Sequence, residues 1–73
     1  MTLRDTKAGQ KGIVLNVSGD SMFQRRISAV GIIPGGAFEV IRSGGHSPML
    51  LHVRNTMLAV SSVDCSQIEV EVK

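Results

Sequence analysis

Residues Arg26–Val40 carry the strongest structural signals of this chain and read Arg-Ile-Ser-Ala-Val-Gly-Ile-Ile-Pro-Gly-Gly-Ala-Phe-Glu-Val. Gly31 can take the positive φ angle that ends an α-helix and caps its last carbonyl groups. Pro34 and Gly35 supply a fixed and then a free φ angle, which suits the central positions of a type II turn. Ala37–Ile41 predicts a short strand after this turn. The stretch therefore predicts a helix end, a turn and a buried strand in close succession.

Residues before this stretch predict a first strand and the body of the helix. The residues of Lys11–Val17 alternate with a period of two, which predicts a half-buried strand. One set of alternate residues is Ile13, Leu15 and Val17, and the other is Val14, Asn16 and Ser18. Asp20 or Ser18 can accept hydrogen bonds from the first N–H groups of a helix, which we expect over Ser21–Val30. Its apolar face collects five side chains: Met22, Phe23, Ile27, Ala29 and Val30.

The second half of the chain begins with a predicted hairpin. Alternate residues of its first strand are expected to face the core: Met49, Leu51 and Val53. Leu50 is then expected outside, on a surface that a partner could cover. Asn55–Thr56 predicts a tight turn, and Met57–Ser61 the returning strand.

The end of the chain completes a small sheet. Ser61, followed three residues later by Asp64, is a capping pattern that predicts one short helical turn. Ile68–Val72 predicts a last strand that pairs with the first. Because strands this short hide their edges best by curling, we predict a mainly β fold. This is a small SH3-like barrel of about five strands, with one short α-helix between the first and second main strands and a single domain over residues 1–73.

Composition narrows the compartment and the partner classes. Cys65 is the only cysteine, which excludes an internal disulfide and favours a reducing compartment. No apolar run approaches the roughly 20 residues that span a bilayer, and the amino terminus has no apolar signal core. We therefore expect a cytoplasmic location without membrane insertion. A formal charge of +2 and only two aromatic residues, both Phe, argue against nucleic acid as the partner.

The sequence from Arg26 to Gly35, with the alternating strand after it, resembles the FeoA family of small proteins of bacterial ferrous iron uptake. The family usually has Arg-Leu-x-x-Leu/Met-Gly-Leu-x-Pro-Gly here, whereas this chain has Ile27 and Val30 at the two aliphatic positions. The resemblance covers nearly the whole chain. It implies an SH3-like barrel and a regulatory, non-enzymatic role, docking on the cytoplasmic GTPase domain of the iron permease FeoB.

Five residues are the predicted contacts to that partner: Arg25, Arg26, Leu50, His52 and Leu58. The two arginines are the densest positive feature of the helix, and the planar donor fork of arginine suits an acidic protein surface. Arg26 falls within the apolar arc, so its methylene stem is expected along the edge of the core. The leucines belong to a hairpin whose apolar residues cannot all enter so small a core. Exposed apolar strand edges also favour a weak homo-oligomer.

Two other functions fit the same sequence. The first is a small nucleic-acid-binding β-barrel, for which the available cations are Lys7, Lys11, Arg42 and Arg54. The second is a metal-sensing domain, because the C-terminal domain of iron- and manganese-dependent repressors shares the FeoA pattern. The chain has no pair of helices for DNA binding, which argues against a complete repressor.

Catalytic and metal-binding motifs are absent from the sequence. Cys65 is next to apolar residues and is expected to be a packing residue, so no catalytic residue is assigned. His46 and His52 are the only weak candidates for a metal site, and no pair of residues has the close spacing of metal ligands. We expect no resident metal or other cofactor, which leaves transient association with iron(II).

Titration of Fe²⁺ or Zn²⁺ into the purified protein tests this expectation. Calorimetry should detect no saturable site with a Kd below about 1 μM, because two surface histidines without further ligands hold a metal ion weakly. A stoichiometric site of higher affinity that disappears in His46→Ala would contradict the expectation.

Overall fold

A computed structural model describes residues 1–43 and 47–73 of the 73-residue chain. Its strands are β1 (Lys11–Val17), β2 (Ala37–Arg42), β3 (Met49–Val53), β4 (Thr56–Val60) and β5 (Ile68–Val72). Its helices are α1 (Ser21–Ala29) and the single turn α2 (Ser62–Cys65), and a 3₁₀ turn covers Leu3–Asp5.

The five strands form one antiparallel sheet in the order β4-β3-β2-β1-β5. The prediction of a mainly β fold with α1 between β1 and β2 is confirmed, as is the pairing of the last strand with the first. The amino terminus extends the sheet beyond β5, because Thr2 forms a bridge with Glu69 and the N–H of Val70 donates to the carbonyl of Met1 at 2.9 Å.

The helix end and turn predicted around Gly31 are also present. Gly31 has a φ angle of +102°, and its N–H donates to the carbonyl of Ser28 at 3.0 Å. In the following turn Gly35 has a φ angle of +86°, and the N–H of Gly36 donates to the carbonyl of Ile33 at 2.9 Å. These values are typical of a type II turn with glycine at its third position.

Every element contributes to the core, and the buried apolar residues among positions 1–43 and 47–73 are Leu3, Val14, Phe23, Ile27, Ile32, Phe38, Val40, Met49, Leu51, Val53, Val60, Cys65, Ile68 and Val70. All three residues predicted to face inward from β3 are among them. In β1 the buried member is Val14, and Leu15 is 44% exposed, at a register shift between Val14 and Asn16. A bulge of this kind rotates the strand, so the alternation of the sequence does not continue through it.

The predicted apolar face of α1 is wrong at three of its five residues. Only Phe23 and Ile27 are buried, whereas Ala29 is exposed, Met22 is 80% exposed and Val30 is 44% exposed. The helix has nine residues, or about two and a half turns, and it contacts the sheet along a narrow line, so side chains at the margins of its apolar arc lie in solvent. The hairpin turn is also displaced by one residue, because the residues with positive φ angles are Arg54 and Asn55.

Substitution of Gly12 tests the close pairing of β5 with β1. A Cβ atom at Gly12 would overlap the backbone carbonyl of Glu71, which belongs to the paired strand and cannot move aside alone. We expect Gly12→Ala to lower the free energy of unfolding by about 3 kcal/mol, measured by urea denaturation. Gly9→Ala is the control, since its Cβ would meet no atom within 4 Å and it carries only the cost of a positive φ angle, about 1–2 kcal/mol. Equal losses in the two variants would contradict the argument.

Candidate docking surface

A groove separates α1 from β4 and contains two of the predicted contact residues, Arg26 and Leu58. We call it the α1–β4 groove, and its volume is about 170 Å³. Seven residues line it: Arg26, Ile27, Val30, Leu58, Ala59, Val60 and Asp64. The floor is apolar, because Ile27 and Val60 are core residues and the half-buried Leu58 packs against the core. The rim carries one positive and one negative side chain.

Arg26 is held at this rim by two contacts. Its Nη2 atom lies 3.3 Å from Oδ2 of Asp64, and its guanidinium carbon lies 5.5 Å from the ring centroid of Phe23. The Arg26 side chain nevertheless remains 66% exposed. An exposed ion pair of this kind is worth less than about 1 kcal/mol, so a partner carboxylate can replace Asp64 at little cost.

The capped first turn of α2 positions Asp64 at the groove. The Oγ atom of Ser61 accepts from the N–H of Asp64 at 3.2 Å, as the capping pattern predicts. Asp64 lies 38 positions after Arg26 in the sequence, so no local pattern indicates the pair. Val30 and Ala59 are likewise not among the predicted contact residues, since helical periodicity places Val30 on the apolar face of α1 and a lone alanine gives no signal.

The five predicted contact residues do not form one cluster. Arg26 and Leu58 lie together in the α1–β4 groove. Arg25 lines a separate cleft with Gln24 and Pro34. Leu50 and His52 are half-buried on β3, where they pair with Ala59 and Met57 of β4 respectively. Because side chains alternate between the two faces of a sheet and Leu51 pairs with Leu58, both residues point to the face opposite Leu58 and lie outside the groove.

Neither the candidate nucleophile nor the candidate metal ligands form a reactive centre in the described residues. Cys65 is fully buried and its Sγ–H donates to the carbonyl of Val60 at 3.7 Å. Burial, reinforced by the negative charge of Asp64, raises the pKa of the Cys65 thiol to about 11. His46 lies outside the described residues. Within residues 1–43 and 47–73, no three His, Cys, Asp or Glu side chains converge as metal ligands would.

A family model, the FeoA domain, matches residues 1–72 of this sequence. The chain belongs to the FeoA family. This membership associates it with ferrous iron transport. Comparison with curated protein sequences found no match.

Solved structures of the same fold include FeoA proteins and metal-dependent repressors. An iron uptake regulatory protein (FeoA) has a TM-score of 0.95 at 23% identity, with 100% of this chain and 97% of that chain covered. The zinc complex of Stenotrophomonas maltophilia FeoA, a procaryotic SH3 domain protein, has a TM-score of 0.82 at 21% identity over 97% and 89% of the chains. A manganese-dependent transcriptional repressor has a TM-score of 0.89 at 17% identity, over 100% of this chain and 41% of that chain.

These likenesses confirm the predicted SH3-like fold and its relation to the repressor domain. At this level of identity they establish the fold alone and transfer no binding site. Among the described residues, no helix combines the length and the apolar character needed to cross a membrane.

The buried thiol of Cys65 gives stability a dependence on alkaline pH. Because the pKa of the folded thiol, about 11, lies above its ordinary value of 9.0, the unfolded chain loses this proton first as the pH rises. The free energy of unfolding of the parent protein should therefore fall by about 1 kcal/mol per pH unit between pH 9 and pH 11. This fall is measured against Cys65→Val, which has no thiol to titrate. Urea denaturation across this range measures the difference. Parallel curves for the two proteins would show that the thiol is not protected.

Proposed function

We propose that this chain is a non-enzymatic accessory protein of bacterial ferrous iron uptake, and that it docks through the α1–β4 groove on the cytoplasmic GTPase domain of the permease FeoB. Membership of the FeoA family supports the association with iron transport. The observation that supports the docking site is the α1–β4 groove itself, in which an exposed arginine lies at the rim of an apolar floor.

The composition of the groove indicates the partner chemistry. A volume of about 170 Å³ accommodates one or two aliphatic side chains above Leu58 and Val30. Arg26 can at the same time donate two parallel hydrogen bonds to a carboxylate on the partner. We therefore expect the docking segment of FeoB to present an aliphatic residue next to an Asp or Glu.

The proposal assigns no chemistry to this chain. Its one thiol is buried and protonated at neutral pH, since its pKa is raised to about 11. The Stenotrophomonas maltophilia FeoA is a zinc complex, described as a candidate activating factor of ferrous iron transport. For this chain we propose at most transient association with iron(II). Of the two candidate histidines, His52 is the one that lies in the described residues.

The arrangement of cations supports docking on a protein over binding of nucleic acid. Lys11 lies opposite Glu39 in the β1–β2 pair, and Arg42 lies towards the other end of β2. Arg54 is in the β3–β4 turn. These positive charges are dispersed over the molecule, whereas binding to a phosphate backbone relies on a continuous basic stripe.

Affinity for the isolated GTPase domain of FeoB from the same organism tests this proposal. We expect Arg26→Glu to weaken binding by about 10-fold or more, because it replaces a charge-assisted hydrogen bond by repulsion. Leu58→Ala should weaken binding to a similar extent by removing apolar contact. Biolayer interferometry with the GDP-bound domain and with a GTP-analogue complex measures both effects, and circular dichroism verifies that the variants fold.

Arg25→Glu is the matched control. It makes the same charge change on the adjacent residue, which lines a different cleft, so its affinity should stay within about 3-fold of the parent. Equal losses in Arg25→Glu and Arg26→Glu would remove the α1–β4 groove as the site. Absence of binding by the parent in every nucleotide state would remove FeoB docking altogether.

A further inference from the structure

The sheet has one covered edge and one open edge. The β5 edge is covered by the amino terminus through the Thr2–Glu69 bridge and the hydrogen bond from Val70 to Met1. At the other end of the strand order, β4 has β3 as its one neighbour among the described strands. Within residues 1–43 and 47–73, no backbone hydrogen bond reaches the outer side of β4.

The backbone groups on this open edge follow from the geometry of the hairpin. Two residues with φ angles of +52° and +64°, Arg54 and Asn55, connect Val53 to Thr56. A two-residue turn of this type closes on a hydrogen-bonded pair. Since bonded and non-bonded pairs alternate along an antiparallel ladder, the N–H and C=O groups of Met57 and Ala59 point away from β3.

The open edge lacks the features that normally keep edge strands from pairing. Thr-Met-Leu-Ala-Val, the sequence of β4, contains no charge and no proline. Its register with β3 continues without a bulge over all five residues. Met57 is 53% exposed on this strand. Monomeric proteins protect such edges with lysine, proline, bulges or a covering segment.

We propose that β4 pairs with β4 of a second copy of this chain, antiparallel and around a twofold axis through Leu58. Met57 of each copy then faces Ala59 of the other, and these two pairs exchange four backbone hydrogen bonds. The large side chain of Met57 lies against a small one. Leu58 faces Leu58 on the side of the sheet that lines the α1–β4 groove, where each leucine fills the space beside the other.

Charge favours this second copy as the occupant of the edge. β4 is neutral, so self-pairing places no like charges opposite each other. Arg54 precedes the strand and Asp64 follows it. The antiparallel arrangement places the basic end of each copy beside the acidic end of the other, whereas a parallel arrangement would bring like ends together.

This pairing does not depend on docking to FeoB and goes beyond it. The second copy covers the α1–β4 groove, so the dimer and the docked complex exclude each other. Because a single strand pair buries a small area, the dimer is weak, with a Kd of about 0.1–1 mM. Such an equilibrium responds to the local concentration of the protein.

Sedimentation equilibrium of the purified chain alone, up to about 1 mM, is the first test. The weight-average mass should rise with concentration towards that of a dimer. Ala59→Pro removes an outward N–H without breaking the β3 pair, and Met57→Lys adds a charge to the edge, so both should remain monomeric. Leu15→Lys is the control, because it adds the same charge to a similarly exposed apolar residue of β1, and it should dimerise as the parent does.

Disulfide formation tests the register. Across a non-hydrogen-bonded antiparallel pair the Cα atoms lie about 4.5 Å apart, within the range that a disulfide spans. Leu58→Cys should therefore oxidise to a covalent dimer, with the buried Cys65 left in place. Met57→Cys is the control, because its two copies lie about 8 Å apart, and it should cross-link at least 10-fold more slowly.

Three results would overturn the proposal. The first is a monomeric mass for the parent at every concentration. The second is equal cross-linking of Leu58→Cys and Met57→Cys, which would exclude the twofold register. The third is a dimer that persists in both Ala59→Pro and Met57→Lys, which would place the contact elsewhere. None of these measurements involves FeoB, so they are independent of the docking experiment.

Discussion

Two backbone hydrogen bonds between the turn after α1 and strand β1 hold the arrangement of this small protein. The N–H of Gly35 donates to the carbonyl of Val14 at 2.7 Å, and the N–H of Val14 donates to the carbonyl of Gly36 at 2.9 Å. They attach the turn to the middle of β1. The two ends of the segment that contains α1 are thereby held together, which limits where α1 can lie on the sheet.

The position of α1 determines the candidate functional surface. Gly31 ends the helix next to Val53 and Arg54 of the hairpin turn, and a Cβ at Gly31 would lie 3.3 Å from Cδ of Arg54. The helix is therefore close to β4 at its carboxyl end, and the space between them is the α1–β4 groove. Arg26 on α1 and Asp64 on α2 meet across this space because both elements flank β4.

The local structure was predicted well because each element is defined by short-range signals. Asp20 caps α1 by accepting from the N–H of Phe23 at 2.8 Å, and Ser61 caps α2, as the oxygen-bearing side chains at those positions indicate. Apart from the hairpin turn, which is displaced by one residue, the errors concern burial. Met22 and Val30 lie at the margins of the apolar arc of α1, and periodicity alone does not state how wide a face the sheet covers.

Local sequence signals specify the order and type of the elements, the turn at Pro34–Gly35 and the inward residues of β3, because propensity, capping and alternation act over a few neighbouring residues. Only the packed fold shows which polar residues meet, as in the pair of Arg26 and Asp64, and which edge of the sheet stays open. These features depend on how distant segments pack around one core, and residues that are far apart in the chain leave no periodic pattern from which their contact can be predicted.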